Sequence, residues 1–125
     1  MIKNATKNKI ICTNIEIADS LGKQTKGLMF RESFDPESGF FMIFDSERKH
    51  GIWMFGMRFP IDIIFIDSGK RIVDIKHSVR PMNKNPRTWK VYKPKKPCTY
   101  VLEINSNVIE KTGTEIGDIL EFQMP

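Results

Sequence analysis

Three charged residues lie in or beside apolar segments of this sequence and could together form a polar site. Asp62 lies inside Ile61–Ile66, a run of β-branched and aromatic residues that is typical of a central strand. Arg31 and Glu103 also adjoin apolar segments. Because a buried charge is tolerated only with good partners, we predict that the Arg31 guanidinium bridges the two carboxylates, or holds one and keeps a donor free for a ligand.

The leading functional prediction is that a small ligand or a partner binds in this pocket. Trp53 and Met54 precede Asp62 and complete the predicted lining of Arg31, Trp53, Met54, Asp62 and Glu103. Two alternatives stay open. Arg31 can act only as a structural link between a helix end and the sheet. Asp62 and Glu103 can act as the acid–base pair of a hydrolase, although no nucleophile is evident and enzyme activity is left undecided.

Side-chain alternation fixes the expected orientation of both carboxylates. Successive residues of a strand point to opposite faces of a sheet. We therefore expect Asp62 to share a face with Ile64 and Ile66, and Glu103 to share a face with Val101, opposite Leu102. If the two faces coincide in the fold, both carboxylates line one cavity.

A second candidate site is the segment 80–97, which contains four prolines and no acidic residue. We predict a long basic loop with a short strand near Trp89–Tyr92. Basic residues interleaved with aromatic ones suit single-stranded nucleic acid or another anionic surface. The simpler interpretation is a solvated loop whose aromatic rings pack onto the domain. The residues concerned are Arg80, Lys84, Arg87, Trp89, Lys90, Tyr92, Lys93, Lys95 and Lys96.

Methionine, histidine and cysteine provide the soft groups that a metal would need. Thioether and imidazole ligands suit Cu(I), but methionine also fills gaps in cores, and no spacing here fixes a ligand set. Cys12 and Cys98 form neither a CxxC motif nor a zinc pattern. We therefore expect no metal site and no cofactor. The methionines and histidines considered are Met29, Met42, Met54, Met57, Met82, His50 and His77.

Length and composition indicate one soluble globular domain over residues 1–125. The chain is 40% hydrophobic and 28% charged, with a net charge of +5 that tolerates anionic partners without requiring them. No apolar run approaches the ~18 residues of a membrane span, and no secretory signal is recognisable. We expect a cytoplasmic protein with reduced thiols and a frayed tail at residues 1–8. Heavy use of lysine and isoleucine hints at a thermophilic source.

The order of the predicted elements favours a β-sandwich or barrel. About seven short strands alternate with turn signals, and only two short helices are predicted. One helix is expected near Ser20–Gly27 and the other near Ser106–Lys111. The sequence Asp67–Lys70 predicts a hairpin between two strands.

Three ordered blocks of the sequence resemble the signatures of a known family. They are Gly27–Arg31 (GLMFR), Trp53-Met54 followed by Pro60–Asp67 (PIDIIFID), and Val101–Glu103 with Gly113 and Gly117-Asp118. The chain thereby resembles domain of unknown function family 192 from about Ile15 to Phe122. The resemblance implies a compact, mainly β, jelly-roll-like sandwich or barrel, and it brings no activity or catalytic residues with it.

The chain departs from the family pattern in three respects. Ile61 replaces the usual leucine before Asp62, and Asn105-Ser106 stands where a small residue often follows the strand. Many relatives look exported or lipid-anchored, whereas we expect no leader here. A shared extracellular role is therefore not predicted.

Overall fold

The computed structural model describes residues 1–123, in which strands dominate. This confirms the predicted mainly β, sandwich-like fold with two short α-helices. Within these residues, no helix has the length and apolar sequence needed to cross a bilayer. The elements are β1 (Ile2–Asn4), β2 (Lys9–Cys12), β3 (Asn14–Ala18), α1 (Leu21–Lys26), β4 (Ser38–Arg48), β5 (Ile52–Trp53), β6 (Ile61–Ile66), β7 (Ile72–Val79), a 3-10 helix (Pro86–Thr88), β8 (Val91–Tyr92), β9 (Cys98–Asn105), α2 (Val108–Thr112) and β10 (Leu120–Glu121).

A five-stranded sheet with the order β3-β4-β9-β6-β7 organises the fold. Strand β6 is buried along its whole length, as expected for a continuous run of isoleucine and phenylalanine on an interior strand. The β3–β4 pair is parallel, and the other pairs of this sheet are antiparallel. A three-stranded sheet, β10-β1-β2, and a two-stranded ribbon, β5-β8, accompany it.

Two hydrophobic cores lie on opposite faces of the five-stranded sheet because strand side chains alternate. The first core contains Ile63 and Phe65 from β6, together with Leu28 from the segment after α1. The second contains Ile64 and Ile66, packed with residues of β1, β2, β10 and α2. The helix α1 and the β5–β8 ribbon therefore belong to one side of the sheet, and the three-stranded sheet belongs to the other.

The expected frayed tail at residues 1–8 is wrong. Residues Ile2–Asn4 form the central strand of the three-stranded sheet, and Ile2 and Asn4 are fully buried. The Asn4 amide donates hydrogen bonds to Asp118 at 2.8 Å and to Thr114 at 3.1 Å. These partners lie more than a hundred residues away along the chain, so they cannot be predicted from the local sequence of residues 1–8.

The predicted short helix and hairpin are confirmed, and each depends on one polar side chain. Ser20 caps α1 by accepting a hydrogen bond from the backbone of Lys23, and Gly27 ends the helix with a φ of +51°. In the hairpin, the Asp67 carboxylate accepts a 2.9 Å hydrogen bond from the backbone of Gly69. Both are local motifs, which is why the sequence predicts them well.

The basic segment 80–97 is more ordered than a plain loop. It contains the 3-10 helix and the strand β8, close to the short strand predicted near Trp89–Tyr92. Ile52 and Trp53 of β5 pair with Tyr92 and Val91 of β8. The segment is thereby tied to the same side of the sheet as α1.

Candidate functional site

Asp62 lies inside the most apolar strand, and both of its carboxylate oxygens accept hydrogen bonds from backbone N–H groups of the fold. It is completely buried. Asp62 is two residues before Ile64 on β6, so the two side chains share a face, and Ile64 belongs to the second core, as predicted. Its Oδ1 accepts a 2.8 Å hydrogen bond from the backbone N–H of Ser78, and its Oδ2 accepts a 2.9 Å hydrogen bond from that of Ile109. Asp62 thus ties β7 to the first turn of α2, whose own cap residue, Asn107, makes no side-chain capping bond.

Glu103 points to the other face of the sheet. In the β6–β9 register, Ile63 lies opposite Glu103 and Asp62 lies opposite Ile104. Directly opposed residues of antiparallel strands share a face, so the two carboxylates are separated by the sheet. The predicted common cavity, and with it the paired-carboxylate hydrolase, is wrong. The residues that share a face with Asp62 on β6 and with Glu103 on β9 are predicted correctly. The register between β6 and β9 decides whether those two faces lie on the same side of the sheet, and here they do not.

Arg31 also lies apart from both carboxylates. Its guanidinium donates a 2.6 Å hydrogen bond to Glu16 of β3 in a half-exposed ion pair. Arg31 lines a shallow depression with Ser33 and Asp35 rather than a space next to Asp62 or Glu103. The predicted guanidinium bridge is therefore wrong. The observed pair agrees with the alternative in which Arg31 links the segment after α1 to the sheet.

A cavity of about 280 Å³ lies between α1, the β5 segment and the first face of the sheet. We call it the helix–sheet cavity. Of the five predicted ligand-binding residues, Glu103 and Trp53 line it. Met54 is buried in the neighbouring core, and Arg31 and Asp62 lie elsewhere. The lining consists of Leu21, Gln24, Thr25, Lys26, Gly27, Leu28, Met29, Met42, Phe44, Gly51, Ile52, Trp53, Phe55, Met57 and Glu103.

The carboxyl group of Glu103 is the chemical anomaly of this cavity. Its side chain is 4% exposed, and Phe40 and Ile63 flank it on the neighbouring strands. Among residues 1–123, no group makes a hydrogen bond or a salt bridge to it. Burial raises the pKa of Glu103 to about 8, so the neutral acid predominates at pH 7. The fully enclosed side-chain polar atom without a partner in the described residues is Thr99 Oγ1, so the Glu103 oxygens keep slight access to the cavity. A largely buried carboxyl group that the fold leaves unbonded is uncommon and is typical of functional sites.

Aromatic side chains form the rim of the cavity. Trp53 and Phe55 are 49% and 48% exposed, and their rings stack with centroids 5.1 Å apart. Phe30 meets Phe55 edge to face at 6.4 Å. Large apolar groups that stay in water around a cavity mouth are available to cover a bound molecule.

Sequence reasoning missed the residues that α1 and β4 contribute to the lining. Leu28 and Met29 lie inside the GLMFR block that resembles the family signature. The sequence analysis selects only Arg31 from this block as a site residue, although the block also contains these two lining residues. Gln24 looked like an ordinary helix residue. Its side-chain amide donates hydrogen bonds to the carbonyls of Ala18 at 3.1 Å and Ile43 at 2.7 Å, which fixes α1 over the sheet.

The fold and cavity define a small mainly β protein whose central sheet carries a cavity under a short helix, and solved structures share this fold. A Novosphingobium aromaticivorans protein of unknown function matches with a TM-score of 0.83 and 26% identity, covering 97% of this chain and 81% of that one. A Sinorhizobium meliloti protein proposed to be a transcription regulator matches with a TM-score of 0.77 and 29% identity, covering 86% of this chain and 79% of that one.

The chain belongs to the DUF192 family, described as "Uncharacterized ACR, COG1430", whose model matches residues 2–122. A UPF0127 protein of Thermococcus sibiricus is 32% identical over 99% of this chain and 75% of its own length. The UPF0127 protein PF1050 of Pyrococcus furiosus is 34% identical over 95% of both chains. These similar proteins come from thermophilic archaea, and the predicted family resemblance is confirmed.

Proposed function

We propose that this protein binds a small, largely apolar molecule in the helix–sheet cavity, and that Glu103 is the polar anchor of that molecule. The observation that carries the proposal is the unpartnered carboxyl group of Glu103 in a cavity otherwise lined mainly by apolar side chains. Small-molecule sites typically combine an apolar lining with a few convergent polar groups. A buried polar group that the fold leaves unbonded gains most from a ligand that bonds to it.

The dimensions and chemistry of the cavity define the class of ligand. Its volume of about 280 Å³ lies just below the range of roughly 300–1,000 Å³ found for ligand pockets, which favours a small ligand. No described residue donates a hydrogen bond to Glu103, so a ligand with an N–H or O–H donor can bond its carbonyl oxygen, while the O–H of the neutral acid can donate to an acceptor on the same ligand. Its remaining surface is apolar and meets Leu28, Met29 and Met57.

The rim supports entry of such a molecule from solvent. Leu21 of α1 is 80% exposed, and it faces the cavity together with the half-exposed Trp53 and Phe55. A ligand that fills the cavity removes part of this apolar surface from water, at about 25 cal/mol per Å². Rim burial and the hydrogen bond to Glu103 therefore contribute to the same binding event.

A thermal-shift screen of small donor-bearing fragments tests the proposal. Ligands that bind only the folded state raise the melting temperature in proportion to their saturation. The same screen is run on Glu103→Leu, which removes both carboxyl oxygens at similar volume, and on Glu121→Leu, which makes the same change at an exposed position. We expect fragments that stabilise the wild type and Glu121→Leu but not Glu103→Leu. A screen without such fragments, or with equal shifts for Glu103→Leu, would refute the proposal.

A further inference from the structure

A second concave surface lies on the other side of Trp53 and Phe55. It is a groove of about 640 Å³, which we call the aromatic groove. We propose that the aromatic groove binds single-stranded nucleic acid, with bases stacked on its exposed rings and phosphates held by its lysines. Its lining consists of Trp53, Phe55, Gly56, Met82, Asn83, Lys84, Trp89, Lys90 and Val91.

Trp89 presents its ring in a fixed position. It is 59% exposed, yet its indole N–H donates a 2.8 Å hydrogen bond to the carbonyl of Asn83. The Asn83 side chain in turn accepts a 2.7 Å hydrogen bond from the backbone of Asn85, and the backbone N–H of Asn83 donates to Thr88 at 3.0 Å. Since the loop itself uses the indole N–H, the ring faces are what Trp89 offers to a partner. A ring ordered in advance loses little entropy when a base stacks on it.

Two more rings complete the groove, and two lysines line it. Trp53 and Phe55 stack on each other with an interplanar angle of 23° and remain about half exposed. The two lysines are Lys84 and Lys90. The Lys90 Nζ lies 5.0 Å from the centroid of the Tyr92 ring, which lines a neighbouring depression. Aromatic platforms beside ammonium groups are the elements with which proteins hold single strands irrespective of sequence.

Charge selects an anionic partner for the aromatic groove. Two lysines and no acidic residue line it, and the segment 80–97 carries seven basic residues and no acid. A neutral sugar stacks on tryptophan but makes no use of these cations. A concave surface suits a strand better than a flat bilayer. Duplex DNA offers phosphates but keeps its base faces stacked inside, so a single strand matches both features of the groove.

Fluorescence anisotropy with a fluorescein-labelled oligothymidine of ~12 nucleotides provides the test, over a salt series from about 20 to about 200 mM. Trp89→Ala should weaken binding by about 5- to about 150-fold, because it removes one stacking platform. Ile10→Ala, a truncation at a similarly exposed position on β2, should leave binding unchanged. Lys84→Gln and Lys90→Gln should each reduce the slope of log affinity against log salt by about 0.7, and Lys9→Gln should not change it.

Several results would overturn the proposal. They are no binding even at the lowest salt, equal affinity for a duplex of the same length, or binding that Trp89→Ala leaves intact. Phosphatidylserine vesicles that bind in a Trp89-dependent manner while the oligonucleotide does not would point to a membrane surface instead. Glu103 does not line the aromatic groove, so Glu103→Leu should bind the oligonucleotide like the wild type. Nucleic-acid binding in the groove and ligand binding in the helix–sheet cavity can therefore be tested independently. Melting temperatures of all variants verify that each is folded.

Discussion

Replacing Glu103 by glutamine should stabilise the protein at neutral and alkaline pH. Glutamine keeps the size and polarity of the side chain but cannot ionise. In the wild type, deprotonation creates a carboxylate that no described residue compensates, in a site that is 4% exposed. The folded chain therefore binds this proton more tightly than the unfolded chain does.

The sign and size of the effect follow from the two pKa values. Because the folded pKa is raised, the contribution of Glu103 to stability is greatest below the unfolded value and is lost as the pH rises through the folded one. From 4.5 to about 8 is 3.5 pKa units, which at about 1.36 kcal/mol each gives roughly 5 kcal/mol of unfolding free energy. A pH of 7 is 2.5 units above the unfolded pKa of 4.5. The wild type has therefore already lost roughly 3 kcal/mol of unfolding free energy at pH 7.

Urea denaturation of wild type, Glu103→Gln and Glu121→Gln between about pH 5 and about pH 8 measures this difference. The unfolding free energy of the wild type should fall relative to Glu103→Gln as the pH rises. Glu121→Gln, at an exposed site, should follow the wild type. Parallel curves for the wild type and Glu103→Gln would refute the reasoning, because they would mean that Glu103 titrates alike in both states.

Three further outcomes follow from the other buried or paired groups. Asp62→Ala should destabilise the fold by about 3–5 kcal/mol in urea denaturation, because it leaves two backbone N–H groups without their acceptor, and Asp62→Asn should cost less. The thiols of Cys12 and Cys98 should react with Ellman's reagent only as the chain unfolds, since burial raises the pKa of each to about 11. Arg31→Gln should lower stability by less than about 1 kcal/mol and leave fragment binding unchanged, because its pair with Glu16 is partly exposed.

The features that the sequence predicts best are those with short-range causes. The run Ile61–Ile66 forms a buried strand because β-branched and aromatic residues predominate in it, and Asp67–Lys70 closes a hairpin through its own side-chain and backbone bonds. The cap at Ser20 is equally local. Each of these depends on residues within about five positions, a range over which patterns in the sequence are reliable.

The candidate site depended instead on long-range placement. Asp62 and Glu103 were both identified as unusual, and the face of each along its own strand was predicted correctly. The β6–β9 register then puts them on opposite sides of the sheet, and a shift of one residue would have reversed that result. Arg31 was assigned to them because it is a cation near a helix end, whereas Glu16 on the adjacent strand is its partner.

The titration of the Glu103 carboxyl carbon by NMR tests the central claim most directly. With selective ¹³C labelling, the wild type should titrate with a midpoint near the pKa of about 8 that burial gives this group. A saturating fragment from the thermal-shift screen should lower that midpoint, because a hydrogen bond donated to the carboxylate favours the charged form. A midpoint near 4.5, or one that the bound fragment does not move, would contradict the assignment of Glu103 as the ligand anchor.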